Sequence, residues 1–113
     1  IIRGTTSRNR VRRLRESGAK ELHMVVSCPP TRHPCPYGID FSVKGELIAA
    51  EKEDEAEIAS FIGLDSLHYL SIEGMVEATG IPKGNFCLAC YSGDYPLQPP
   101  KSFGKFCFEG KLF

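Results

Sequence analysis

Three groups of residues in this 113-residue chain have the types and spacing that chemistry needs. Cys87-Leu88-Ala89-Cys90 is a C-x-x-C pair, a spacing that lets two thiolates reach one metal from a single tight turn. Cys35 stands apart, in a stretch that holds Pro29, Pro30, Pro34 and Pro36. The fixed φ of proline would keep such a ligand loop stiff. Three thiolates are one short of a tetrahedral sulfur site. Zinc could complete the set with His33, Cys28 or Cys107, and an iron–sulfur cluster could take a fourth cysteine from elsewhere in a longer chain. The plain alternative is a redox-inert set of buried thiols. A thioredoxin-like role is disfavoured, because nothing in the pattern puts Cys87 between a strand and a following helix.

The third group is Arg3-Gly4-Thr5-Thr6-Ser7, directly before a helical pattern. Gly4 would let the backbone approach a ligand without a Cβ clash. The hydroxyls, the free N–H groups and the positive end of the helix dipole would face one spot. The chemistry implied is phosphate binding, and the plain alternative is a simple capped helix start.

The elements that must position these groups follow from periodicity. A helix is predicted from the N-cap candidates Thr5-Thr6-Ser7, with Val11, Leu14 and Ala19 as its apolar stripe, Arg8, Arg10, Arg12, Arg13 and Arg15 around it, and Gly18 ending it in a left-handed conformation. Leu22 to Val26 reads as a buried strand stopped by Pro29-Pro30. Residues 28–41 form a proline-rich loop, and Glu46 to Ala50 a short helical turn with Ser42 as its cap. Asp54 caps a helix that places Ile58, Phe61 and Ile62 on one face and ends at Gly63. Leu67 to Leu70 is a second strand, and Ser71 caps a helix through Val76 to Gly80. This order is α/β. Residues 97–113, with Pro99-Pro100 and four Phe (Phe103, Phe106, Phe108, Phe113), read as an irregular tail.

Charge and composition bound the function classes. Fourteen basic and fourteen acidic residues give zero net charge, and the arginines of the first helix are balanced by the acidic stretch Glu51 to Glu57. A general nucleic-acid coat is therefore not expected. No apolar run approaches the roughly 18 residues of a membrane span. The start Ile1-Ile2-Arg3 carries no secretion signal and reads as the middle of a longer protein. Five cysteines fit a closed disulfide set poorly, so a reducing, cytoplasmic location is expected.

Longer stretches carry a specific likeness. Ile1-Ile2-Arg3-Gly4-Thr5-Thr6-Ser7 resembles the end of the phosphoribosyl pyrophosphate (PRPP) motif of type I phosphoribosyltransferases. Ser27-Cys28-Pro29-Pro30, His33-Pro34-Cys35-Pro36-Tyr37-Gly38-Ile39-Asp40, Glu46-Leu47-Ile48-Ala49-Ala50, Gly63-Leu64-Asp65-Ser66-Leu67, Leu70-Ser71-Ile72-Glu73-Gly74 and Phe86-Cys87-Leu88-Ala89-Cys90-Tyr91-Ser92-Gly93-Asp94-Tyr95-Pro96 resemble the glutamine PRPP amidotransferase family. The likeness covers residues 1–96.

The resemblance implies the C-terminal part of a family member. The fold would be α/β, the later half of a type I phosphoribosyltransferase domain with a parallel sheet and flanking helices, plus a helical, loop-rich segment. The implied reaction makes 5-phosphoribosylamine, pyrophosphate and glutamate from PRPP and glutamine, the committing step of purine synthesis. Arg3, Gly4, Thr5, Thr6 and Ser7 would hold the 5-phosphate. Cys35, Cys87 and Cys90 would be three ligands of the [4Fe–4S] cluster of one branch of the family, structural or regulatory in role. Cys28 would be a spare thiol, where the family often has Ser. No catalytic residue is expected within the chain, which alone would be inactive. The acidic residues that would serve Mg²⁺ and the ribose hydroxyls, the fourth cluster ligand and a glutaminase domain would lie upstream. Purine nucleotides as feedback inhibitors and a homo-oligomer are also implied, with no nucleic-acid or membrane partner. The competing expectations are a non-enzymatic zinc module using Cys35, Cys87, Cys90 and either His33 or Cys107, and an anion-binding domain built on the arginine helix.

Overall fold

The computed structural model describes residues 1–39, 44–52 and 54–98. Its elements run α1 (Thr5–Glu16), β1 (His23–Val26), a 3₁₀ turn (Lys44–Glu46), α2 (Ile48–Glu51), α3 (Glu55–Ile62), β2 (Ser66–Tyr69), α4 (Ile72–Thr79), a second 3₁₀ turn (Lys83–Asn85) and α5 (Ala89–Ser92). The strands pair in parallel, with His23 opposite Ser66 and Val26 opposite Tyr69. The expected α/β class, a parallel pair with flanking helices followed by a loop-rich helical segment, is the one observed.

Local chemistry explains the element ends. Asp54 Oδ1 accepts from the Ala56 amide at 3.1 Å and starts α3, and Gly63 ends it at φ 93°. Ser71 Oγ accepts from the Gly74 amide at 3.0 Å and starts α4, which Gly80 closes. These side chains satisfy amides that a helix start leaves without intrahelical partners. Gly18 takes the left-handed conformation after α1, as expected. Ser42, Cys107, all four tail phenylalanines and most of the predicted tail lie outside the described residues.

The core is one cluster of Val11, Ile48, Ala49, Ile58, Ala59, Ile62 and Leu67, with Leu22, Met24, Val26, Leu64 and Tyr69 packed against it. Helices α1, α2 and α3 thus cover one face of the strand pair. Among the described residues the other face is uncovered: Val25 is 80% exposed. This corrects the expectation of a buried β1, whose burial alternates along the strand, because a sheet covered on one side buries only every second residue. Two further expectations change. Leu14, expected in the α1 stripe, is half exposed, and Phe61 leaves the buried row of Ile58 and Ile62. α1 buries only Val11 because it meets α3 along a narrow seam.

Two side chains make stability depend on pH from opposite ends. Asp65 Oδ2 accepts from the Leu22 amide at 2.6 Å and from Arg15 Nη2 at 2.5 Å, tying α1 to the start of both strands. The Leu22 amide first, and Arg15 second, hold its carboxyl below the ordinary 3.8. A depressed carboxyl stabilises the fold above its unfolded value, and the gain is lost as pH falls through the folded one. Asp65→Asn should lower the melting temperature at pH 7 and weaken the fall below pH 4, read by thermal melting across pH. Burial, with the Cys28 and Glu55 charges next, pushes the Tyr69 phenol up to about 12. This gain is complete below about pH 10, the ordinary tyrosine value, and is lost as pH rises through 12. Tyr69 Oη is buried without a hydrogen-bond partner among the described residues, so its deletion removes no bond. Tyr69→Phe should therefore keep or raise the melting temperature at pH 7 and abolish the alkaline loss.

Candidate functional site

The first candidate site opens at the start of α1. Gly4 is buried and sits at φ 76°, the left-handed region. A Cβ there would lie 3.1 Å from Ile48 Cδ1 and 3.3 Å from Phe61 Cε1. Conformation and space therefore both demand glycine. No side chain caps α1, and its first turn holds no acidic residue. The hydroxyls of Thr5, Thr6 and Ser7 do not cap the helix, contrary to the local expectation. The first amides thus keep their donor capacity, at the positive end of twelve aligned peptide units. They border an open cleft of about 630 Å³ lined by residues 1–7. Arg3 does not point its charge freely into this cleft: its Nη2 donates to Glu46 Oε2 at 2.6 Å. The arrangement can bind an anion through backbone amides.

The second candidate site joins the proline-rich loop to α5. The amides of Arg32 and His33 both donate to the Cys90 carbonyl at 3.0 Å. Tyr95 Oη donates to the Pro34 carbonyl at 2.6 Å. Tyr37 Oη donates to the Leu97 carbonyl at 2.7 Å and accepts from the Leu97 amide at 3.1 Å. The rings of Tyr37 and Tyr95 meet edge to face at 6.2 Å. Gly93 closes α5 at φ 84°, and the place of its missing Cβ lies 3.0 Å from the His33 ring. These bonds fasten the Cys35 loop to the C-x-x-C segment, across more than fifty residues of sequence.

The thiols respond to that proximity. Burial, and next the charge of Cys35, push the Cys90 thiol up, with Cys87 and Cys28 acting in the same direction. Cys35 and Cys90 also raise the Tyr95 phenol, behind burial as the main cause. Burial first, and then Cys28, both as a charge and through a hydrogen bond, raise the Tyr91 phenol. All four described cysteines are free thiols, Cys87 exposed and the others half-buried. Among the described residues, no three His, Cys, Asp or Glu side chains are gathered closely enough to hold a metal ion. Cys35 and Cys87 each lie near enough to act on Cys90, but the described thiols are not drawn together into a ligand set. A metal entering here would have to displace protons from thiols and draw them together.

Several contacts were not visible in the sequence pattern. Ile48 and Phe61 behind Gly4, Tyr37 and Tyr95 as loop fasteners, and His33 against Gly93 all join residues far apart in sequence. Only the paired tyrosines near the loop and near the C-x-x-C segment hinted at them. His23 and His68 sit at the surface beside Ser66 and Glu55.

No protein-family model matches the chain. Curated relatives do. It is 52% identical over 101 residues to an amidophosphoribosyltransferase of Synechococcus elongatus, covering 89% of this chain and 20% of the relative. It is 48% identical over 106 residues to one of Methanothermobacter thermautotrophicus, covering 94% and 22%. The solved glutamine PRPP amidotransferase of B. subtilis, complexed with ADP and GMP, matches with a TM-score of 0.81 and 45% identity, over 90% of this chain and 23% of that one. In sequence and in fold, the chain is a homologue of the amidophosphoribosyltransferases and spans about a fifth of the length of the relatives it matches.

Proposed function

We propose that this chain is the part of an amidophosphoribosyltransferase that grips the 5-phosphate of PRPP and supplies thiolates to a [4Fe–4S] cluster. The observation that carries the reading is the turn at Gly4. It is left-handed and walled behind by Ile48 and Phe61, and it opens on an uncapped helix start. Phosphate would be held by the amides and hydroxyls of Thr5, Thr6 and Ser7, with Gly4 allowing close approach. Arg3 would contribute through its backbone and through the ion pair that steadies residue 46.

The reaction consumes PRPP, glutamine and water and yields 5-phosphoribosylamine, pyrophosphate and glutamate. Within it, the task of this chain is to fix one end of PRPP so that the anomeric carbon meets ammonia in one orientation. Magnesium, held by acidic residues outside the chain, would neutralise the leaving pyrophosphate. Purine nucleotides would compete for a site that recognises a 5-phosphate, which fits the ADP and GMP bound to the B. subtilis relative.

The cysteines suit a cluster in donor type, although the described thiols would have to be drawn together to hold one. A cluster held by Cys35, Cys87 and Cys90 would tie the proline-rich loop to α5 and serve structure. Thiols kept reduced in this way need a reducing, cytoplasmic compartment.

Two measurements check the reading on the protein that carries this chain. Gly4→Ala forces a side chain into a left-handed position costing about 1–3 kcal/mol, so PRPP binding should weaken on the order of tenfold or more. Equal PRPP affinity in the variant would overturn the phosphate assignment. Anaerobic preparations should be brown and contain iron and acid-labile sulfide, and Cys90→Ser should lose most of both. Colourless protein with stoichiometric zinc would favour the zinc module instead.

A further inference from the structure

Phe61 is 40% exposed, while its α3 neighbours Ile58 and Ile62 are 1% and 2% exposed. Two sets of contacts account for its place. Inward, ring atoms Cε1 and Cδ1 lie 3.3 and 3.6 Å from where a Cβ on Gly4 would be. Outward, the Arg8 guanidinium stands 5.1 Å and the Lys52 ammonium 5.7 Å from the ring centroid. Both cations are within the range at which the ring quadrupole attracts them. Arg8 also donates its amide to the Gly4 carbonyl at 2.8 Å. The ring is thus flanked by two cations and stands close beside the turn at Gly4.

The other wall behind Gly4 is Ile48, which is buried and bonded through its amide to the Ile2 carbonyl at 2.9 Å. Ile48 cannot yield without disturbing the core. Phe61 is the surface wall, and its removal leaves space into which the Gly4 peptide can retreat. A retreat of a few tenths of an ångström matters, because N–H···O bonds weaken steeply away from about 2.9 Å and from linearity.

We propose that Phe61 is a positioning residue for the phosphate turn: its ring sets how far the Gly4 peptide stands from the cleft, and so how closely the first amides of α1 approach a phosphate oxygen. This rests on the PRPP reading above. The phosphate is gripped alike in ground and transition states, so the loss falls on KM rather than kcat.

The test is steady-state kinetics on the full-length protein that carries this chain. Phe61→Ala should raise KM for PRPP on the order of tenfold, leaving kcat and the KM for glutamine unchanged. Phe61→Leu, which refills part of the space, should recover part of the loss. Gly4→Ala should cost less in the Phe61→Ala background than alone, because one of its two clashes is gone, and this non-additivity marks direct contact. An unchanged KM for PRPP in Phe61→Ala, additive losses, or a rise in both KM values with falling kcat would each overturn the proposal. Wild-type protein that does not bind PRPP would instead sink the function reading on which it stands.

Discussion

The two candidate sites hang on three consecutive residues, Leu47, Ile48 and Ala49, all buried. Their backbone and side chains face both ways. Toward the turn at Gly4, the Ile48 amide donates to the Ile2 carbonyl and the Ile48 side chain fills the space beside Gly4. Toward the cysteine loop, the Ala49 carbonyl accepts from Arg32 Nη1 at 2.7 Å. A buried segment with its polar groups satisfied this way resists displacement, because any shift leaves amides or carbonyls without partners in a dry interior. The short α2, only four residues long, has little helical stability of its own. Packing and these cross-bonds keep it in place.

This arrangement gives a physical link between the two candidate sites. Arg32 bonds α2 with its side chain and the Cys90 carbonyl with its backbone amide. A loop carrying Cys35 is thereby connected, through one residue on each side, to the backbone beside the cleft at Gly4. A change in the order of the cysteine region has a short covalent and hydrogen-bonded route to the turn at Gly4. The tyrosine bonds from Tyr37 and Tyr95 add rigidity at the far end of the loop. Proline stiffness alone would not supply that, since it restrains the chain without attaching it to anything.

Three charges of α1 are similarly resolved, two by tertiary partners and one within the helix. Arg15 is taken up by Asp65, Arg12 meets Glu16, and Arg8 rests on Phe61. The row of arginines that looks like a polyanion-binding surface in sequence is partly a set of structural fasteners. Paired and stacked cations of this sort contribute modestly to stability at an exposed surface, yet they fix where neighbouring side chains stand.

Much of the architecture follows from local rules that the chain carries on its face. Asp54, Ser71, Gly18, Gly63 and Gly80 set helix ends by their own side-chain or φ requirements, so each could be read residue by residue. Both strands were legible from short β-branched and apolar runs, to within a residue at their ends. Gly4 and the cysteines stood out in the sequence by residue type and spacing, which marked them as candidates. What the sequence by itself could not determine was burial and long-range contact. Whether Val25 is covered depends on how many faces of the sheet carry helices, and whether Leu14 and Phe61 are core depends on where α1 crosses α3. The helix start at Thr5 has three residues able to cap it, and none does so. Only tertiary structure decided that Ile48 and Phe61 wall Gly4 and that Tyr37 and Tyr95 fasten the cysteine loop. These contacts join residues dozens of positions apart, where backbone propensity and periodicity carry no information and only the packed chain selects which side chains meet.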